Sequence, residues 1–277
     1  MTDENTVSNH YLHGDLLKAI QGAITVLGKT VDDIAIEDLA PVDEFHIGGR
    51  IATENLLDQL GFSDQHHILD VGCGLGGAAR FVSDKYKNHV TGIDLTPEYI
   101  ETGKVLCEWV KLENSVALHH GNAVAMPFKD ESFDGGYMLH VGMNIEDKDL
   151  LFREIFRVLR KGASFGIYDV MCIEEGELTF PVPWATDKSI SKLATPIQYI
   201  EALAHAGFEV FKENSRRDFA LEFFRKQREK IEAAGGPPSL GLHTLMKEST
   251  PLKINNMIEN IKACYVAPVE IIARKKI

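Results

Sequence analysis

A glycine-rich turn and an acidic residue beyond it are the first groups in this chain whose types and spacing indicate chemistry. The segment Ile68–Gly77 contains Asp70, glycines at 72, 74, 76 and 77, and a helical pattern directly after them. Glycines at such a turn let the backbone lie against a ligand, because no Cβ atom stands in the way. Asp94 ends the next apolar run, about 20 positions on, where a carboxylate accepts the hydroxyl hydrogens of a ribose.

Two further polar residues, Asn122 and His140, follow later predicted strands. Ligands of parallel α/β sheets bind beyond the carboxyl ends of the strands, so we expect these residues to meet Asp70 and Asp94 at one edge. A histidine at that edge can take a proton from an ammonium or hydroxyl group, since its ordinary pKa is about 6.5. Holding a substrate carboxylate, or hydrogen bonding within the core, are the other roles open to His140.

The segment 121–134, Gly-Asn-Ala-Val-Ala-Met-Pro-Phe-Lys-Asp-Glu-Ser-Phe-Asp, adds a longer motif. Together with the glycine turn it resembles the class I S-adenosylmethionine-dependent methyltransferases. Their turn reads D-x-G-x-G-x-G and their later segment reads G-D-A-x-x-L-P-F-x-D-x-S-F-D. The resemblance covers about residues 66–170 and implies S-adenosylmethionine as the cofactor.

The resemblance also implies roles for individual residues in holding the cofactor. The glycines face its methionine part, one carboxylate takes the ribose, and the later residues pack on adenine or read its edge; the implied set is Asp70, Gly72, Gly74, Asp94, Leu95, Asn122 and Ala123. Asn122 departs from the aspartate common in the family, but its amide oxygen can still accept from the adenine amine. A dinucleotide site, with its G-x-G-x-x-G fingerprint, is the rival interpretation, and Asp70 two residues before Gly72 together with the Gly76–Gly77 pair argues against it.

A segment ahead of the turn, Asp43–Gly49, bears on the substrate. It resembles the D-x-(Y/F)-H-x-G-G segment of the sarcosine/dimethylglycine N-methyltransferase branch, which lies over the cofactor and the substrate entrance. The resemblance implies substrate contacts from Phe45, His46, Arg50 and Met143, with His140 as the catalytic residue, Tyr168 in the pocket wall and Arg216 or Arg217 as further partners for a carboxylate. An ordinary loop with satisfied side chains is the alternative.

Three functions therefore stay open. The first is N-methylation of a glycine-type amino acid such as sarcosine or dimethylglycine. The second is C- or O-methylation of a quinone or other aromatic precursor, for which a longer and more apolar pocket is expected and against which a lining of arginine or histidine would count. The third is a protein that binds S-adenosylmethionine without catalysis. No feature of the sequence identifies the methyl acceptor.

The elements that must position these residues alternate short apolar runs with helical patterns. Strands are predicted near 67–71, 89–93, 116–120, 133–137, 163–169, 207–212 and 266–274. A helix is predicted from Pro97 to about 112, another through Leu150–Leu159 ending at Lys161–Gly162, and an earlier one with the apolar stripe Leu16, Leu17, Ile20, Ile24 and Leu27. We predict an α/β fold with a doubly wound, mostly parallel seven-stranded sheet and a helical cap.

Four segments are expected along the chain. Residues 1–60 form an N-terminal helical cap or lid, and 61–215 form the cofactor-binding core. Residues 216–262 are a helical insertion over the substrate side, broken at Gly235–Pro238, and 263–277 supply the last core strand.

Composition limits the partners. The net charge of −12 argues against a nucleic acid, because neutralising phosphates needs a basic face. The four cysteines are dispersed without C-x-x-C spacing, which is typical of reduced thiols in a cytoplasmic protein, and no metal site is expected. No apolar stretch reaches membrane-spanning length, so neither export nor a membrane is expected. The expected partner is a small-molecule methyl acceptor, and a homodimer is left open.

Overall fold

A seven-stranded sheet forms the centre of the computed structural model, which describes residues 4–276. The strands are β1 (His67–Val71), β2 (His89–Asp94), β3 (Val116–His120), β4 (Phe133–Leu139), β5 (Leu159–Cys172), β6 (Phe208–Ser215) and β7 (Val266–Lys275). Their order is β3-β2-β1-β4-β5-β7-β6, and only β7 runs antiparallel to its neighbours. The predicted doubly wound, mostly parallel sheet is confirmed. Residues 1–3 and 277, the outer ends of two expected segments, lie outside the described residues.

Helices cover both faces of this sheet. They are α1 (Glu4–Tyr11), α2 (Leu16–Val26), α3 (Ile36–Asp43), α4 (Gly49–Leu57), α5 (Gly77–Tyr86), α6 (Pro97–Trp109), α7 (Lys148–Val158), α8 (Pro196–Ala206), α9 (Arg217–Ala233), α10 (Leu242–Met246) and α11 (Thr250–Lys262). Side chains of α7 and α8 pack on one apolar face of the sheet, and those of α4, α5 and α6 pack on the other. Among residues 4–276, no helix is long and apolar enough to cross a membrane.

The strand order creates a crevice at the carboxyl edge. The chain builds β1, β2 and β3 outward in one direction and then returns to place β4 on the other side of β1. At such a reversal the connections after the two neighbouring strands diverge, and the gap between them is where doubly wound sheets bind ligands. Asp70 lies near the end of β1, and His140 directly follows β4.

Three local expectations differ from the structure. Helix α7 ends at Val158 rather than at Lys161–Gly162, because Leu159 already pairs with Phe133 and begins β5. The register of that pairing shifts between Phe133 and Gly135, and Lys161–Gly162 lies within the resulting irregular part of the strand. Helix α6 ends at Trp109, short of the predicted residue 112. Leu27 lies beyond the end of α2 and is 45% exposed, so it is outside the buried stripe.

A fully buried ion pair joins the N-terminal helices to the sheet. Arg80 of α5 donates to the Asp43 carboxylate, with Nη2 and Oδ1 2.6 Å apart and both side chains 0% exposed. Its other amino group, Nη1, donates to the carbonyls of Leu75, at 2.8 Å, and Gly103, at 3.2 Å. One guanidinium therefore links the end of α3, the glycine turn and α6.

Removing one partner of this pair should destabilise the fold strongly. Arg80→Met leaves a buried carboxylate without its cation, and we expect a loss of about 3–5 kcal/mol in the free energy of unfolding. The double variant Arg80→Met/Asp43→Leu should recover much of that loss, because no buried charge remains. Urea denaturation measures both, with Arg160→Met as the control, since Arg160 pairs with Asp134 at a half-exposed site worth about 0–1 kcal/mol. Equal losses in the single and double variants would contradict the buried-charge explanation.

Candidate active site

A cavity of about 1770 Å³ opens at the carboxyl edge of the sheet. Twelve of the site residues predicted from the sequence contribute to its wall: Phe45, His46, Arg50, Asp70, Gly72, Gly74, Asp94, Leu95, Asn122, Ala123, His140 and Met143. Further parts of the wall come from α1 and α3, from the loop containing Trp184, and from α9, α10 and α11. The structure therefore brings these twelve residues together in one cavity.

The glycine turn is held open by the end of β2. Gly72 and Gly74 have φ of 69° and 53°, the left-handed backbone that glycine adopts without strain. Asp94 accepts from the amide of Gly74 at 2.9 Å through Oδ2, and from the amide of Thr96 at 2.8 Å through Oδ1. A Cβ atom at Gly74 would make only an ordinary van der Waals contact, 3.9 Å from Tyr99 Cδ2, so this backbone is not crowded. The turn thus presents bare backbone next to a fixed carboxylate.

Asp70 lies behind that turn and is 2% exposed. Its Oδ2 accepts from the hydroxyl of Tyr137 at 3.0 Å. Burial raises the pKa of Asp70 to about 8, and the Tyr137 hydrogen bond offsets only part of that effect. The nearby carboxylates of Asp94 and Glu44 add to the rise. Asp70 is therefore largely neutral at pH 7 when the cavity holds no cation.

His140 occupies an unusual backbone conformation, with φ of 54°. Its amide donates to the Tyr168 carbonyl at 2.8 Å, and its ring stacks on Tyr168 with centroids 5.2 Å apart. Burial, with His46 nearby, lowers the pKa of His140 well below 6.5, so the imidazole is neutral at pH 7. Nε2 is buried without a hydrogen-bond partner among residues 4–276, and the same is true of the Tyr168 hydroxyl. Tyr168 lies behind His140 rather than in the cavity wall as predicted.

Most polar groups of the 43–50 segment have partners within the segment or in the helices beside it. His46 Nε2 lies 2.9 Å from Thr53 Oγ1, and burial lowers the pKa of His46. Glu44 accepts from Arg50 Nε at 2.6 Å and from the Thr53 hydroxyl at 3.0 Å. These side chains line the cavity and also bind one another. The segment therefore has features of both interpretations, a wall of the substrate site and an ordinary loop with satisfied side chains.

The three arginines considered for a substrate carboxylate have other partners. The Arg50 guanidinium lies over the Phe81 ring, 4.4 Å from its centroid, in addition to its Glu44 contact. Arg216 Nη1 lies 3.8 Å from the buried Glu270 carboxylate. Arg217 donates to the carbonyls of Ile261 and Lys262, each at 3.0 Å. Neither Arg216 nor Arg217 contributes to the cavity wall.

Two residues that the sequence does not single out also shape the site. Tyr11 of α1 faces the cavity and donates its hydroxyl to Asn144 Oδ1 at 2.8 Å. Asp169 of β5 is fully buried and accepts from the Tyr199 hydroxyl at 2.8 Å and from the Gly142 amide. Asn144 and Gly142 belong to the turn after His140, so both contacts fix that turn. No spacing rule links residues 11 and 144, and only the folded chain reveals the pair.

Comparison with known proteins places the chain in a family. Residues 69–167 match the profile of a methyltransferase domain. The O-methyltransferase resE of Aspergillus sclerotiorum is 28% identical over 71% of this chain and 78% of its own length. Other curated relatives include sterol 24-C-methyltransferases and an ajmaline N-methyltransferase, and the chain spans about a third to three-fifths of their length. The chain thus contains a methyltransferase domain, which supports a class I S-adenosylmethionine-dependent methyltransferase.

Solved structures with this fold differ in what they do. A Galdieria sulphuraria protein, provisionally assigned as a sarcosine dimethylglycine methyltransferase, has a TM-score of 0.65 at 20% identity over 94% of this chain and 98% of its own. The cyclase SpnF has a TM-score of 0.69 at 20% identity, covering 99% of this chain and 97% of its own. At such identities the likeness shows the fold alone, and the acceptor must be inferred from the site.

The buried carboxyl of Asp70 should make stability fall as pH rises. Its pKa is about 8 in the folded state against 3.8 for the ordinary group, so folding favours the protonated form, and this contribution is lost from about pH 4 to pH 8. In Asp70→Asn the side chain is neutral at every pH and can still accept from Tyr137. In urea denaturation without cofactor, the free energy of unfolding of the variant, relative to that of the wild type, should increase with each pH unit from 5 to 8. Exposed Asp64→Asn is the control, and parallel pH curves for Asp70→Asn and the wild type would contradict the shift.

Proposed function

We propose that this chain transfers the methyl group of S-adenosylmethionine to a neutral, mainly apolar small molecule at an oxygen or carbon atom that faces His140. The observation that carries this proposal is the cavity wall. Bare backbone and Asp94 lie at one end, neutral His140 lies beside them, and an extended apolar surface lies beyond. The expected division into a cap (1–60), a core (61–215), an insertion (216–262) and a last strand (263–277) is part of the same proposal.

The residues around the glycine turn fit the cofactor. Asp94 uses one lone pair of each oxygen on a backbone amide, and a second lone pair on each remains for the two ribose hydroxyls. The uncrowded backbone of Gly74 in the cavity wall is available to the methionine part, and the partly exposed Leu95 side chain is available to adenine. We assign Asn122 and the backbone of Ala123 to the adenine edge. Asp70 and Gly72 complete the set, and cofactor binding brings an ammonium group that favours the ionised form of Asp70.

The bound cofactor supplies a methyl group made electrophilic by its sulfonium. The protein must then align the acceptor atom with that methyl and exclude water. Tyr11 and the turn held by Asp169 close the cavity above this point. The neutral imidazole of His140 is suited to a hydrogen bond with the acceptor, and we assign it an orienting role. Phe45, His46 and Met143 form the neighbouring wall, and Arg50 acts through Glu44.

Glycine-type N-methylation is the second candidate. The 43–49 segment and the Galdieria fold neighbour favour it. A glycine-type acceptor carries a carboxylate that needs a cation. Arg216 and Arg217 are engaged elsewhere, and Arg50, which lines the cavity, has its charge balanced by Glu44, although its Nη2 has no hydrogen-bond partner among residues 4–276. The wall beyond His140 is mainly apolar, which matches the longer pocket expected for O- or C-methylation of an aromatic precursor. For this reason the neutral acceptor is our first proposal.

Asp94→Ala tests the cofactor assignment. Losing a charge-assisted pair of hydrogen bonds should weaken S-adenosylhomocysteine binding by about 1.5–3 kcal/mol, roughly 10- to 150-fold. Calorimetry measures the affinity, with exposed Asp84→Ala as the matched control and a melting curve to confirm folding. Unchanged affinity in Asp94→Ala would remove the ribose assignment.

His140→Asn tests the methyl-transfer end of the site, and asparagine is chosen because it tolerates a positive φ. An acceptor is first found by incubating the enzyme with methyl-labelled S-adenosylmethionine and two panels of candidate acceptors. The first panel contains apolar phenols and enols, and the second contains sarcosine and dimethylglycine. Labelling should be confined to the first panel. The variant should then raise the Michaelis constant for that acceptor while leaving turnover nearer normal, since an orienting contact acts in binding.

The other outcomes are distinct. A fall in turnover of about 10²–10⁴-fold, with a wild-type rate that drops below the pKa of His140, would make the residue a general base. Normal kinetics with a lower melting temperature would make it a core residue. Label on sarcosine or dimethylglycine would select the second candidate, and cofactor binding with no label on either panel would favour a non-catalytic binding protein.

A further inference from the structure

Helix α9 is amphipathic and buries only part of its apolar side. Of its 17 residues only Ala220 is fully buried, and the helix carries Phe223, Phe224 and Ile231 on one side. An apolar stripe on a helix normally packs against other protein, because leaving it in water forfeits its burial energy. Here Phe223 and Phe224 are partly buried against the apolar cluster that contains Met257, but the stripe also faces the cavity, and Ile231 stays 40% exposed.

The opposite wall has the same character. Leu245 of α10 and Met257 and Ile258 of α11 line the cavity across from α9, and each is less than 9% exposed. We call the space between α9 and the α10–α11 pair the apolar chamber. It is continuous with the space beside His140 and Asp94, since one cavity wall includes them all.

Volume points to a large occupant. The whole cavity measures about 1770 Å³, whereas a drug-sized ligand occupies a pocket of about 300–1,000 Å³. The cofactor and an acceptor of only a few atoms would leave much of the apolar wall in water. The wall near α9 also carries two charged residues, Arg228 and Glu232, and both are exposed.

Resting on the proposed function, we propose that the acceptor is an elongated molecule with a hydrocarbon body, and that this body fills the apolar chamber while its reactive end lies at His140. The acceptor then covers the part of the stripe on α9 that the protein leaves exposed, Ile231 above all. Specificity then comes from the contacts of α9 and α11 with the hydrocarbon body, which select its length and apolar character. It does not come from an ion pair with a charged group of the acceptor.

A series of 4-alkylphenols from ethyl to octyl tests this assignment by calorimetry on the full chain saturated with S-adenosylhomocysteine. Affinity should rise about three- to fourfold with each added CH₂ until the chamber is full, as expected for burying a methylene. Ile231→Glu introduces a charge into the chamber wall and should weaken octylphenol binding by about tenfold or more, with little effect on ethylphenol.

Leu252→Glu is the matched control. Leu252 is 54% exposed on α11 and lies outside the cavity wall, so the whole series should bind this variant as it binds the wild type. Affinity that does not change with chain length, or equal losses in the two variants, would overturn the chamber assignment. Titration with S-adenosylhomocysteine alone separates the two proposals. If S-adenosylhomocysteine binds but the affinity for the alkylphenols does not change with chain length, only the acceptor class is wrong. If S-adenosylhomocysteine does not bind, the proposed function itself is contradicted.

Discussion

The ion pair between Asp43 and Arg80 is the contact on which the architecture of the site depends. A charged pair without solvent exposure is stabilising only when its geometry holds, and here that geometry fixes three segments at once. The N-terminal helices are thereby attached to the turn that presents backbone to the cofactor. Phe45 and His46, two and three residues beyond Asp43, consequently have defined positions over the cavity.

The two ends of the cavity are built on different principles. The end that we assign to the cofactor consists of strand termini and backbone amides, positioned by the sheet and by Asp94. The end that we assign to the acceptor consists of side chains from helices, of which α9 buries only Ala220 fully. His140 lies at the junction, on a turn fixed from behind by Asp169 and from above by Tyr11 through Asn144. Rigid positioning is thus concentrated where the methyl group must be aligned.

Much of this organisation is readable from the sequence, because it depends on local spacing. Alternating apolar runs predict the strands, and Asp70, Asp94 and His140 are found at one edge since each ends or follows a parallel strand. What escapes prediction depends on distant pairs. Arg80 meets Asp43 across α3 and α5, and Tyr11 meets Asn144 across most of the core. Likewise, Lys161–Gly162 has the composition of a helix end, yet pairing of Leu159 with Phe133 overrides it.

The placement of α9–α11 has a consequence for how such an enzyme changes its acceptor. These helices leave the sheet after β6 and return at β7, and the two strands are paired from Phe208 with Lys275 to Ser215 with Val269. That ladder already holds the ends of the insertion together, so lengthening or replacing it adds little closure entropy, about 0.6 kcal/mol for each doubling of length. The parallel strands that carry Asp70 and Asp94 are not involved. The insertion that forms the proposed apolar chamber can therefore vary in size and chemistry. The parallel strands proposed to bind the methyl donor keep their register when it does.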